Sequence, residues 1–159
     1  MANIVDSNAT HARYIAMMMR DGDKEELKAS GSDPLEALTR GLQVSTMCKT
    51  VMIDGIPCLM FGVAPISALS GKGSPWLLGT DQIKQIRKWF ISGCAPVVDE
   101  MLSYYPVLQN RVDARNKASI RWLKWLGFEI MPSEPTGING ELFHPFEMRR
   151  VMDKVIDNV

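Results

Sequence analysis

Val112-Asp113-Ala114-Arg115-Asn116-Lys117-Ala118-Ser119-Ile120-Arg121-Trp122-Leu123-Lys124-Trp125-Leu126-Gly127-Phe128 is the run that decides the fold. It reads as the end of a strand, then a helix opened by Asn116 and closed at Gly127, with Phe128 starting another strand. At 100° per residue Ala118, Trp122, Leu123, Trp125 and Leu126 share one arc with Ile120 at its edge. Lys117, Arg121 and Lys124 gather opposite. The arc is expected to lie on a sheet, with both tryptophans against it.

Outward from this unit the chain alternates helix and strand signals. Thr10 to Met19 and Lys24 to Ala29 read as short helices, and Pro34 after Asp33 opens a third that runs toward Met47. Thr50–Ile53 and Pro57–Val63 flank Asp54-Gly55, a two-residue hairpin signal. Ser70-Gly71-Lys72-Gly73-Ser74 reads as loop, since it lacks the glycine spacing and the Ser or Thr that a phosphate loop requires. Trp76–Leu78 is a short strand, and a long helix is expected from Thr80 or Asp81, kinked or split at Pro96. Strands at Val107–Ala114, Phe128–Met131 and Leu142–Arg150 complete the order.

The chain has 159 residues, 46% of them hydrophobic, enough for one domain with a substantial core. Residues 1–150 are expected to form that domain and 151–159 an amphipathic tail. Eighteen basic and eighteen acidic residues cancel. A net charge of zero offers no field for nucleic acid, so the basic helix faces read as solvated surface. Cys48, Cys58 and Cys94 lie far apart, and His11 and His144 are the only histidines, so neither a metal site nor a disulfide framework is encoded. The N-terminus lacks signal-peptide features and no apolar run is long enough to span a membrane.

The order Asn, small residue, Leu, Gly-Phe over Arg111–Phe128 resembles the last conserved segment of the GNAT (Gcn5-related N-acetyltransferase) family. The resemblance implies an α+β fold: a mixed, mostly antiparallel sheet flanked by helices, with a V-shaped opening between the strands at Trp76–Leu78 and Val107–Ala114. It also implies a general acid seven residues after the Asn, where many members carry Tyr. Here that position is Leu123, which has no proton to donate. Members hold the coenzyme A pyrophosphate on a glycine-rich loop before the long helix. In this chain Leu78-Gly79-Thr80-Asp81-Gln82 has one glycine, and Asp81 reads as a helix cap that would repel an anion.

Residues 76 to 130 further resemble a narrower group, the acetyltransferase-like virion proteins of tailed bacteriophages, including the small internal virion protein of T7-like phages. This resemblance implies a protein made in host cytoplasm, located in the virion, and working through contacts with other virion proteins. The expectation is therefore a structural or assembly role with no cofactor and no catalytic residue. Exposed thioethers from Met17-Met18-Met19 would serve such contacts. The alternative is an acetyl-CoA-dependent N-acetyltransferase, with Gly79 and Asn116 holding the cofactor. His144, Glu100 and Glu141 could each be a base, but none has a partner visible in the sequence.

Overall fold

A computed structural model describes residues 1–151, and the amphipathic tail expected at 151–159 lies, but for Val151, outside the described residues. Seven strands, β1 (Ala2–Asp6), β2 (Met47–Ile53), β3 (Ile56–Pro65), β4 (Lys72–Gly79), β5 (Val107–Asp113), β6 (Glu129–Ile130) and β7 (Phe143–Arg149), form one sheet in the order β1-β2-β3-β4-β5-β7-β6. All neighbours are antiparallel except β4 and β5. Helices α1 (Ala9–Met18), α2 (Asp21–Ala29) and α3 (Pro34–Val44) precede β2, α4 (Arg87–Tyr104) joins β4 to β5, and α5 (Lys117–Leu126) follows β5. The α+β class and the mixed sheet are as the sequence indicates.

Alternation along the strands divides the core in two. Val51, Leu59, Phe61, Leu108 and Val112 point to one face, where Ile86, Met101 and Leu102 from the α4 segment and Ile120 and Leu123 from α5 cover them. Met60 and Leu78 point to the other face, under Ile15 of α1 and Leu38 of α3.

Local chemistry sets the helix ends. Asn8 and Asp33 accept from the N–H of His11 and Glu36 and so cap α1 and α3, and Pro34 sits in the first turn of α3. Asn116 caps α5 through the Ser119 N–H. Gly127 ends it at φ 104°, a conformation that glycine adopts freely, and its N–H returns to the last turn.

Several sequence expectations are corrected. β1 gives no sequence signal, because five residues with Asn3 and Asp6 among them are a short edge strand held mainly by pairing with β2. β4 begins at Lys72, so Lys72, Gly73 and Ser74 of the expected loop are strand. A 3₁₀ turn over Asp81–Ile86 precedes α4, and its cap is Thr80, whose hydroxyl accepts from the Gln82 N–H.

α4 runs through Pro96 unbroken. The carbonyl that proline deprives belongs to Ser92, and both residues are exposed, so water can satisfy it. Trp125 is 61% exposed rather than packed on the sheet, because the buried stripe of α5 centres on Ile120 and Leu123, about 170° away. Trp122 does pack inward, stacked on Phe90 with ring centroids 5.6 Å apart.

Candidate functional site

The site begins where β4 and β5 part. They pair only at Lys72–Val107 and Gly73–Leu108, so the V-shaped opening expected from the sequence is present. Pro75 explains the parting. Its carbonyl faces β5, accepting from Asn110 Nδ2 at 2.7 Å, so its nitrogen faces β5 too and has no hydrogen to donate. Asn110 fills the crotch of the V with a side-chain bond where a ladder bond would otherwise stand. Leu77, two residues on, turns its N–H and C=O toward the opening, beyond the last β4–β5 pair.

A cavity of ≈ 700 Å³ occupies this opening. On the α4/α5 face its wall is apolar and aromatic, with Phe90, Cys94, Val97, Trp122 and Leu126. On the α1–α3 face it meets Arg20, Asp23, Glu26, Arg40, Trp76 and Arg111. One space therefore has walls from both faces of the sheet.

α2 crosses the open end of the V. Asp23, 2% exposed, accepts from the Gly79 N–H at 2.9 Å at the end of β4 and pairs with Arg20 Nε at 2.8 Å. Glu26 accepts from the Asp113 N–H at 2.6 Å at the end of β5. Burial pushes the Glu26 carboxyl up to about 7, with the neighbouring carboxylates of Asp23 and Asp113 adding to the effect. Burial also raises Asp23, against the pull of Arg20. Asp113 is held below the ordinary carboxylate range by its fork of bonds to Arg115.

Gly79 and Asn116, the two residues that the sequence offers for a cofactor, flank the open end of the V. The Gly79 amide is held by Asp23, and its carbonyl accepts from the Arg20 N–H at 3.0 Å. Asn116 spends its side-chain oxygen on capping α5. At the end of β4 the N–H of Thr80 goes to the Cys58 carbonyl, that of Gln82 to the Thr80 hydroxyl and that of Ile83 to the Thr80 carbonyl. Asp81 is the first residue of the 3₁₀ turn and not its cap.

His144 Nδ1 lies 2.8 Å from the Met131 carbonyl, and Glu141 closes its own turn by accepting from the Asn139 N–H. Neither lines the cavity, and neither does Glu100. Glu26 was missed in sequence because Asp21-Gly22-Asp23-Lys24-Glu25-Glu26 reads as a uniformly solvated helix start. The i, i+3 spacing of Asp23 and Glu26 is the one signal that could have singled it out. No group of His, Cys, Asp and Glu able to hold a metal occurs among the described residues.

A cofactor of the acyl-coenzyme A type can be tested against these residues. The Trp122 indole N–H is buried in the cavity wall without a hydrogen-bond partner, with only the weakly accepting Cys94 sulfur beside it. An unused donor in an apolar wall suits an arm carrying amides and a thioester carbonyl, and the Leu77 amide offers a second donor. For the phosphates the end of β4 offers no glycine-rich cradle. The exposed Lys84, Arg87 and Lys88 that follow make no ion pair among the described residues.

No sequence-family profile and no curated protein matches the chain. Solved structures do. The ribosomal-protein-S18-alanine N-acetyltransferase of Escherichia coli superposes with a TM-score of 0.71 at 14% identity, over 100% of this chain and 99% of that one. A Salmonella typhimurium protein assigned as an acetyltransferase and solved with its cofactor acetyl-CoA gives 0.71 at 12%, over 100% and 99%. A GCN5-related N-acetyltransferase of Kribbella flavida gives 0.69 at 14%, over 93% and 97%.

The chain thus has the GNAT fold, as the residues Arg111–Phe128 suggest. The expectation of a chain without a cofactor is corrected by the Salmonella structure, where this fold carries acetyl-CoA.

Proposed function

We propose that the chain is an acetyl-CoA-dependent N-acyltransferase. The observation that carries this reading is the single cavity at the β4–β5 opening, whose apolar wall lies on one face of the sheet and whose charged wall lies on the other. A transferase needs two substrates to approach one point from separate sides, and a space with walls on both faces lets them do so.

When bound, the cofactor supplies an acetyl group as an activated thioester. The Leu77 and Trp122 N–H groups would hold its arm between the strands, with Gly79 and Asn116 at the open end and Lys84, Arg87 and Lys88 toward its phosphates. On the other face Glu26, with a carboxyl pushed up to about 7, takes a proton from an incoming ammonium and leaves a neutral amine able to attack. The amine nitrogen would then bond to the acyl carbon as the thioester bond gives way, its second proton passing to water, and the leaving sulfur would take its proton from water too, since Leu123 stands where an acid would otherwise serve.

Calorimetry with acetyl-CoA, followed by thiol release in the presence of a panel of primary amines, tests this. Binding with amine-dependent release supports it, and absence of binding overturns it.

A second reading has its own support. Met17 and Met18, 75% and 51% exposed, and Trp125 on the outer face of α5 are large apolar groups in water. Such groups suit docking to other proteins, as in a bacteriophage virion or virion-assembly component. Mass spectrometry of purified particles would find the chain if this holds, and its absence from them would overturn the idea.

A further inference from the structure

We propose that the charged side of the cavity is a carboxylate-binding site, and that the acceptor is an amine that also carries a carboxylate, as a free amino acid does. Five charged residues line the cavity: Arg20, Asp23, Glu26, Arg40 and Arg111. Arg20 and Asp23 neutralise each other in a 2.8 Å pair. Glu26 is spoken for by the Asp113 N–H, and Asp113 by Arg115. Arg40, on α3, and Arg111, on β5, are left as two cations that make no ion pair among the described residues.

Arg111 lies on the α1–α3 face because its strand neighbours Asn110 and Val112 belong to the opposite one, where Val112 packs in the core. Arg40 precedes Gly41, the glycine whose missing side chain lets the Trp76 indole lie against α3. The two arginines therefore come from different elements, α3 and β5, and line one space. Guanidinium groups without a protein carboxylate match a ligand carboxylate, which each can hold through paired N–H donors. Glu26, on α2, with one carboxyl oxygen bonded to the Asp113 N–H, then serves the amino end of the same molecule. An amine without a carboxylate would leave both arginines to water.

The amine end of this proposal rests on the transferase reading, whereas the carboxylate end does not. The probe is therefore the acetylated product, N-acetyl-L-phenylalanine, compared by NMR titration with its C-terminal amide, and no cofactor is needed. The free carboxylate is expected to bind about tenfold more tightly, the ratio that a charge-assisted bond gives. Arg40→Gln and Arg111→Gln, both at exposed positions and checked for unchanged melting, should each remove most of that preference and leave amide binding as it was. Equal binding of the two probes, binding of neither, or an unchanged preference in both variants overturns the proposal. Acetyl-CoA calorimetry on the same protein separates the two ideas. Cofactor binding without carboxylate preference refutes only the site, and carboxylate preference without cofactor binding refutes only the transferase reading.

Discussion

Asp23 and Glu26 stand one helical turn apart on α2 and grip different strands, Asp23 holding the Gly79 amide of β4 and Glu26 the Asp113 amide of β5. The two strands that part at Pro75 are thus tied together again at their far ends by one helix. The opening is framed at the crotch by Asn110 and at the mouth by two carboxylates. This makes α2 part of the site as well as part of the cover.

The Glu26 carboxyl gives the fold a pH dependence of known sign. Its folded value of about 7 lies above the ordinary 4.5, so the native state holds the proton more tightly than the unfolded chain. The resulting stability is complete below 4.5 and is lost as pH rises to about 7. Glu26→Gln keeps an acceptor for the Asp113 N–H without the charge. Its melting temperature should exceed that of the wild type by several degrees at pH 8 and match it near pH 4, as thermal unfolding across that range will show.

The two tryptophans of α5 should separate cleanly. Trp122 stacks on Phe90 inside the cavity wall, and Trp122→Ala should cost about 3 kcal/mol. Trp125 stands in water, and Trp125→Ala should change stability by less than about 0.5 kcal/mol. Urea unfolding of both variants provides the check.

Gly62 lies at the centre of β3, where an added Cβ would sit 2.4 Å from the Met47 carbonyl and 3.0 Å from the Trp76 indole nitrogen. The carbonyl belongs to the paired strand β2 and has no room to move. Gly62→Ala should therefore destabilise the protein by about 2–3 kcal/mol, a cost in the overpacking range, whereas Gly22→Ala, which meets nothing, should not. Chemical denaturation measures both.

Along β4 the amides alternate between β3 and the opening. The Leu78 N–H belongs to the β3 ladder and should exchange slowly, whereas the Leu77 N–H faces the gap and should exchange fast. Acetyl-CoA should slow Leu77 at least tenfold and leave Leu78 unchanged. Residue-resolved hydrogen exchange decides this, and equal protection of the two amides in the free protein would show the strands paired.

Sequence patterns carried the fold where they were long or chemically marked. The α5 unit is bracketed by Asn116 and Gly127, and both caps form as their chemistry dictates. The β2–β3 hairpin turns at Asp54-Gly55, where both residues take positive φ. What escaped is whatever depends on a partner distant in sequence. β1 is a strand because β2 lies beside it, and Trp125 is wet because Ile120 and Leu123 claim the sheet side of α5.

The site was legible only in outline. The V between β4 and β5 followed from family resemblance, but its cause, Pro75 against Asn110, joins residues 35 apart. Glu26 owes its raised carboxyl to burial in the assembled fold, and the amide it accepts from lies 87 residues away. No local window contains either relation.

The thin seam between β4 and β5 also has a mechanical meaning. Strands β1 to β4 form one plate, and β5, β7 and β6 form another, with two residue pairs and the Asn110 side chain as their direct sheet joint. Each plate is continuous within itself. A force or thermal fluctuation that separates the protein in stages should find this joint first, releasing residues 107–149 as a unit while the hairpin of β2 and β3 stays closed. The molecule is then two stiff leaves on a short spine, and whatever lies between the leaves sets how far they can swing.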